Sequence, residues 1–100
     1  MSEALGRAVG LLRFEYLELT IEVLKEAELD PRGAQERVAV RRGKQPSVIS
    51  DHINRVAQAL EVSFFERDRS LSSAGLLTLQ HGSDILATLR HLCASLPRPR

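Results

Sequence analysis

The chain has 100 residues, 43% hydrophobic and 27% charged, with 14 Lys and Arg against 13 Asp and Glu and a single cysteine. This length fits one domain over residues 1–100, and one cysteine excludes an internal disulfide and a Cys-rich zinc module. The N-terminus lacks a basic stretch followed by an apolar one, so we expect no signal peptide.

The net charge of +1 is unevenly distributed. Residues 1–30 carry three basic and seven acidic side chains, a net of −4, whereas residues 31–56 carry six and two, a net of +4. A polyanion responds to the local field of the face it meets, so the basic middle segment is a candidate surface for nucleic acid. On charge alone, a chance cluster of arginines on a solvated loop is the slightly better interpretation.

The N-terminal segment is predicted to be a helix, because apolar residues recur at spacings of three and four. These residues are Leu5, Val9, Leu12, Tyr16, Leu19 and Val23. A row of glutamates follows the same period and is expected to be a solvated acidic face. Acid–base catalysis is not expected, because nothing nearby supplies a nucleophile, a metal site or a pocket that would shift the pKa of these carboxylates. The row consists of Glu15, Glu18, Glu22 and Glu26.

Asp30-Pro31 predicts a second helix over about residues 31–40, because Asp suits an N-cap and Pro suits the first helical position. Residues 41–45 are then predicted to form a basic turn, and a third helix begins near Pro46 or Ser47. One side of the third helix is an apolar stripe of Ile49, Ile53, Val56 and Leu60.

The opposite side of the third helix is polar and consists of Ser47, Asp51, Asn54, Arg55 and Gln58. In a major groove, Asn pairs with adenine and Arg with guanine through two hydrogen bonds each. For a single helix judged alone, a solvated polar face remains the commoner interpretation.

Residues 62–67 are β-prone, and Asp68-Arg69-Ser70 supplies turn chemistry before Leu71-Ser72. This pattern predicts a short hairpin with Arg67 and Arg69 near its tip. Ser72 or Ser73 would cap a last helix that runs to about residue 95, before the proline-containing tail at 97–100.

The last helix carries only two formal charges between residues 74 and 94, and its apolar residues cover more than one face. An apolar stripe of this kind favours packing against a second copy in a twofold dimer, the alternative being burial in its own domain. The expected interface is Leu79, Ile85, Leu86, Leu89, Leu92 and Cys93. Its polar residues exclude a membrane span, Cys93 is expected to be a small buried hydrophobe, and we expect no metal site.

The element order predicts a mainly α fold: a winged helix-turn-helix with a short β-hairpin wing and a long C-terminal dimerisation helix. The DNA-binding core is placed at about residues 12–72 and the dimerisation helix at about 73–96.

Three segments carry a resemblance to a known family: residues 48–56, the Leu-Glu-Val-Ser-Phe-Phe-Glu-Arg run at 60–67, and the Leu-Ser-Ser-Ala-Gly run at 71–75. Together they resemble the DNA-binding domain of LysR-type transcriptional regulators. The resemblance implies that the third helix recognises DNA, that Ser50 makes a backbone or phosphate contact, and that the last helix mediates dimerisation. The small DNA-binding domain of molybdate-responsive regulators is a weaker second resemblance.

The sequence also departs from the LysR pattern. We expect no effector-binding domain, and therefore no small-molecule effector or other cofactor. The turn before the third helix is longer and the wing is shorter, and positions 51 and 54, often Arg in the family, are Asp and Asn. These differences predict a different DNA specificity, with phosphate contacts moved to the basic turn.

The first hypothesis is a homodimeric, sequence-specific repressor that binds double-stranded DNA in the bacterial cytoplasm, on the nucleoid, and is not an enzyme. Asn54 and Arg55 are expected to contact bases, with Ser47, Asp51 and Gln58 beside them. Phosphates are expected to be held by Arg42, Lys44, Arg67 and Arg69. The alternative is a winged-helix interaction module whose basic turn binds an acidic protein partner.

Overall fold

The computed structural model describes residues 13–97, and most of this range is helical. The helices are α1 (Phe14–Leu29), α2 (Ala34–Arg42), α3 (Pro46–Leu60) and α4 (Ser73–Ser95). The beginning of the predicted first helix, with Leu5, Val9 and Leu12, and residues 98–100 of the tail lie outside the described range.

Helix α1 is the centre of the fold, because it packs against all three other helices. Leu19, Ile21, Val23 and Leu24 in the middle of α1 are each at most 1% exposed. Helix α2 also packs against α3, whereas α4 contacts no helix other than α1 within residues 13–97. The apolar residues of α1 therefore hold together a three-helix body and a separately attached C-terminal helix.

The second helix begins and ends later than predicted. Asp30 accepts a hydrogen bond from the backbone N–H of Arg32 at 3.1 Å and forms a turn, so α2 begins only at Ala34. Arg41 and Arg42, expected in a basic turn, form the last residues of α2. The connection to α3 is therefore only residues 43–45, and Pro46 occupies a first-turn position of α3.

The predicted winged helix-turn-helix with a β-hairpin wing is wrong, because residues 13–97 contain no β-strand. The segment between α3 and α4 holds a single isolated antiparallel bridge between Phe65 and Leu71. Glu66 N–H donates to the Ser70 carbonyl at 2.8 Å, and Ser72 N–H donates to the Phe64 carbonyl at 2.8 Å. Because α4 begins at Ser73, too few residues remain after the turn to extend this bridge into a ladder.

Two glycines allow α4 to approach its neighbours closely. A Cβ on Gly75 would lie 2.3 Å from the backbone oxygen of Phe64, and a Cβ on Gly82 would lie 2.3 Å from Cδ1 of Ile21. Ser72 accepts the Gly75 N–H at 3.0 Å and donates its own hydroxyl to the Ser63 carbonyl at 2.6 Å. The first turn of α4 is thereby bound directly to the first part of the α3–α4 connection, just after α3.

Candidate nucleic-acid interface

The polar face of α3 lies on the surface of the three-helix body. Its five predicted residues are all exposed: Ser47, Asp51, Asn54, Arg55 and Gln58. The opposite side is buried through Ile49, Ile53, Val56 and Ala59. Leu60, predicted to complete the buried stripe, is 36% exposed, because it is the last residue of α3 and the chain turns away at Glu61.

Two contacts hold α3 in this rotation about its axis. The Ser50 hydroxyl donates to Oε1 of Gln35 on α2 at 2.5 Å. On the other flank, the His52 ring packs against the Tyr16 ring of α1, with centroids 4.4 Å apart. Because the two contacts lie on either side of the polar face, they direct that face towards solvent. The role expected of Ser50 at phosphate is untested, and in this structure its hydroxyl joins α3 to α2.

Arg55 is paired with a neighbour on the same face. Its Nε donates to Oδ2 of Asp51, one turn earlier, at 3.0 Å, and both side chains are 58% exposed. Asn54 and Gln58 border the shallow groove between α3 and residues 62–63. The face therefore has an uncharged amide side near the α3–α4 connection and a paired Asp–Arg side away from it.

Lys44, Arg67 and Arg69 are exposed cations in the segments before and after α3. Lys44 lies just before α3 and has no ion-pair partner among residues 13–97.

Arg67 and Arg69 lie in the turn after α3, which is closed by hydrogen bonds from the Ser70 hydroxyl and N–H to Oδ1 of Asp68. These hydrogen bonds, with the hydroxyl as the larger contributor, lower the pKa of Asp68. Arg69 lines a cleft with Gln35 of α2, so the turn adjoins the start of α2.

Arg42 has different surroundings, because it faces α1. Its Nε lies 2.6 Å from Oε1 of Glu22, and its Nη2 lies 3.9 Å from Oε1 of Glu18. The adjacent Arg41 bridges Oε2 of Glu22 and Oε2 of Glu26, both at 2.7 Å. Phosphate binding by Arg42 stays a prediction, and in this structure its guanidinium is engaged in the α1–α2 contact.

Arg37 completes this cluster of ion pairs. Its Nε lies 2.8 Å from Oε1 of Glu26, and its Nη2 donates to the carbonyls of Glu26 at 3.2 Å and Asp30 at 2.6 Å. Hydrogen bonds from Arg41, and then from Arg37, lower the pKa of Glu26 below its ordinary value. Three glutamates of the row predicted to be a solvated face, Glu18, Glu22 and Glu26, instead bind the arginines of α2, whereas Glu15 is exposed. Glu18 also pairs with Arg90 of α4 at 3.3 Å. We use the name α1–α2 ion-pair cluster for the paired residues of these two helices: Glu18, Glu22, Glu26, Arg37, Arg41 and Arg42.

The residues expected at a dimer interface divide into two groups. Leu79 and Leu86 are 7% and 3% exposed and belong to the core of the chain itself. Ile85 and Leu92 are 50% and 49% exposed, Leu89 is partly buried, and Leu96 further along is 52% exposed. Cys93 is exposed, so its prediction as a buried hydrophobe is wrong for the single chain. Its place at a dimer interface stays a prediction.

Sequence reasoning did not identify Gln35 or the Tyr16–His52 ring contact, which fix the rotation of α3. The glutamate row of α1 and the arginines of α2 share a helical spacing, and that spacing could have indicated the α1–α2 ion-pair cluster.

Comparison with known proteins finds no family model, no curated protein and no solved structure that matches this chain. The resemblance to LysR-type regulators therefore remains a prediction. Across residues 13–97, no group of three or more His, Cys, Asp or Glu is arranged to hold a metal ion. No helix in that range has both the length and the apolar character needed to cross a membrane.

Proposed function

We propose that this protein is a homodimeric, sequence-specific regulator that binds double-stranded DNA and represses transcription by occupying its operator. The observation that carries the proposal is the exposed polar face of α3, supported from behind by α1 and α2. A helix with this face enters a major groove with Asn54 and Arg55 towards the base edges. A protein acting in this way would work in the bacterial cytoplasm, on the nucleoid.

The exposed cations support the same orientation. Lys44 precedes the N-terminus of α3, where helix N–H groups also favour a phosphate. Arg67 and Arg69 lie in the turn that follows α3 in sequence, and Arg69 adjoins Gln35 of α2, whose side chain contacts Ser50 of α3. Positive charge is therefore present both before α3 and in this turn. Contacts of this type position a protein on the duplex without reading its sequence.

A second copy of the chain is the proposed partner of α4. Ile85, Leu89, Leu92 and Leu96 are separated by four, three and four residues, which is the spacing of a helix–helix seam. We call these four residues the α4 stripe. Because α4 packs only against α1 within the described residues, the stripe is open to a symmetric neighbour. Twofold pairing would present two copies of α3 to successive major grooves of a palindromic site.

The DNA-binding part of the proposal is tested by a mobility-shift assay with the region upstream of the encoding gene. We expect binding that weakens steeply as salt is raised, because phosphate contacts release counterions. Selection from a genomic library would then return the motif and its half-site spacing. Binding to heparin and to random DNA with a steep salt dependence would favour DNA over an acidic protein partner. Absence of binding to any DNA at low ionic strength would contradict the proposal.

The dimer is tested by sedimentation equilibrium with two matched variants. Leu92→Lys places a charge within the α4 stripe and is expected to give a monomer. Leu77→Lys alters a leucine of the same helix that is 55% exposed but lies outside the stripe, and it is expected to remain dimeric. A monomeric wild-type protein, or equal effects of the two variants, would contradict pairing through this stripe.

A further inference from the structure

Asp51 is the one carboxylate on the polar face of α3, and its position is unexpected for a surface that meets DNA. An exposed acid there repels every phosphate backbone, whatever the base sequence. Its Oδ2 accepts a hydrogen bond from Nε of Arg55 at 3.0 Å. The effect of Asp51 on DNA recognition therefore depends on what this bond does to Arg55.

The bond engages one edge of the guanidinium and leaves the other edge available. Nε is the donor to Asp51, and neither Nη1 nor Nη2 of Arg55 makes a hydrogen bond within residues 13–97. An arginine that reads guanine uses two parallel N–H donors towards O6 and N7. The Asp51 contact thus restrains a long, flexible side chain and leaves a pair of terminal donors to face a base edge.

We propose that Asp51 is a positioning residue that holds Arg55 in a guanine-reading geometry, so that it increases discrimination at one base pair while weakening binding to DNA in general. The inference rests on the proposed function, because it assigns a specificity role within the α3 face. Restraining Arg55 before binding reduces the conformational entropy lost when it contacts guanine. The acid also disfavours Arg55 contacts with phosphates, which carry no sequence information.

A helix-stabilising ion pair is the competing explanation. An acid four residues before a base is a favourable pair on any exposed helix. That role predicts a small loss of helix stability in Asp51→Ala and no change in base discrimination. The positioning role predicts a change in discrimination at the same base pair that Arg55 reads.

The experiment measures affinities of the dimeric protein for its selected site and for variants of that site. The base pair read by Arg55 is identified first, as the position whose guanine preference disappears in Arg55→Ala. The specificity ratio is then the affinity for guanine over the affinity for adenine at that position. For a bidentate arginine contact, this ratio is expected to be roughly ten- to a hundredfold in the wild-type protein.

Asp51→Ala is expected to reduce this ratio severalfold and to increase affinity for random DNA. Asp51→Asn keeps an oxygen acceptor for Nε and should recover part of the ratio. Glu28→Ala, which removes an exposed acid of α1, is the charge-matched control and should leave the ratio unchanged. In an Arg55→Ala background, Asp51→Ala should have no further effect on the ratio, because Asp51 acts through Arg55.

Two results would overturn the inference in different ways. If wild-type protein binds selectively and Asp51→Ala keeps the full ratio while binding all sequences more tightly, Asp51 is only a repelling charge and the proposed function survives. If wild-type protein binds no DNA, the proposed function fails and this inference fails with it. Circular dichroism of each variant confirms that the helices are retained.

Discussion

The arginines of α2 and the exposed cations around α3 have different surroundings, although Lys44 lies only two residues after Arg42. Arg37, Arg41 and Arg42 contact the glutamates of α1 at distances down to 2.6 Å. Lys44 and Arg67 are exposed, with no acidic partner among residues 13–97. The first group joins two helices, whereas the second group contributes to the field outside the protein.

This difference shows that charge summed along a segment does not measure the charge of a surface. Three of the six basic side chains of residues 31–56, those of Arg37, Arg41 and Arg42, meet glutamates of α1 across the α1–α2 contact. What remains for a polyanion is a smaller set of exposed cations, Lys44 before α3 and Arg67 and Arg69 in the turn after it. If this division is correct, substitutions in the two groups should affect different measurements.

The largest effect is expected for Arg55→Ala. If Arg55 reads a guanine, its loss should reduce affinity for the selected site by about 1–3 kcal/mol and relax the preference at that position. Stability should change little, because the side chain is 58% exposed. Fluorescence anisotropy with specific and random DNA measures both affinities. Arg41→Ala is the control from the other group, and an equal loss of specific affinity in that variant would contradict the division.

Arg42→Ala should have the next largest effect, and it should appear in stability. The Arg42 side chain is 29% exposed and lies 2.6 Å from a Glu22 side chain that is 21% exposed. Removing one member of this partly buried pair should reduce the free energy of unfolding by about 1 kcal/mol. Urea denaturation measures this loss.

The salt dependence of DNA binding provides the other half of the Arg42 test. A slope equal to that of wild-type protein is expected, because the Arg42 guanidinium is already paired with Glu22. A shallower slope together with unchanged stability would restore Arg42 to the phosphate-binding group.

The helices could be predicted from sequence because their signals are local. Apolar periodicity located α1 and α3, and the exposure of Ser47, Asp51, Asn54, Arg55 and Gln58 confirms the expected polar face. Local signals could not decide whether a hairpin forms, because strand propensity over residues 62–67 does not reveal whether a partner strand exists. Ser72 already caps α4 through the Gly75 N–H, and this prevents the return strand.

The partners of charged residues were also beyond local reasoning. Arg42 and Glu22 are twenty residues apart, and only the crossing of α1 and α2 brings them together. The same is true of Leu79 and Leu86, whose burial depends on which side of α4 meets α1. Periodicity identifies an apolar face but does not say whether its partner is the same chain or another copy.

Lys44→Ala should have a smaller effect than Arg55→Ala and should not depend on sequence. Because Lys44 is exposed before α3, its loss should weaken binding to specific and random DNA alike. The slope of log affinity against log salt should become shallower by about one unit. Anisotropy titrations at several salt concentrations measure the slope. A loss confined to the selected site would indicate that Lys44 contacts a base.

The smallest effect is expected in the acid sensitivity of the α1–α2 ion-pair cluster. Hydrogen bonds from Arg41 and then Arg37 lower the pKa of Glu26 in the folded protein, relative to an ordinary value of 4.5. Because the folded-state pKa is the lower one, the stabilisation is complete above the unfolded-state pKa and is lost as pH falls through the folded value. Wild-type protein should therefore lose stability below about pH 4.5 more steeply than Glu26→Gln.

Urea midpoints measured from pH 7 to pH 3 test this difference in slope. The two proteins should differ most near neutral pH and converge in acid, because protonated Glu26 resembles glutamine. Glu28→Gln is the matched control, since Glu28 is an exposed residue of the same helix with no ion-pair partner among residues 13–97. It should follow the wild-type pH dependence. If Glu26→Gln instead keeps the wild-type pH dependence, as Glu28→Gln is expected to, the arginines of α2 are held by contacts other than Glu26. Glu26 would then not distinguish the arginines of α2 from the exposed cations.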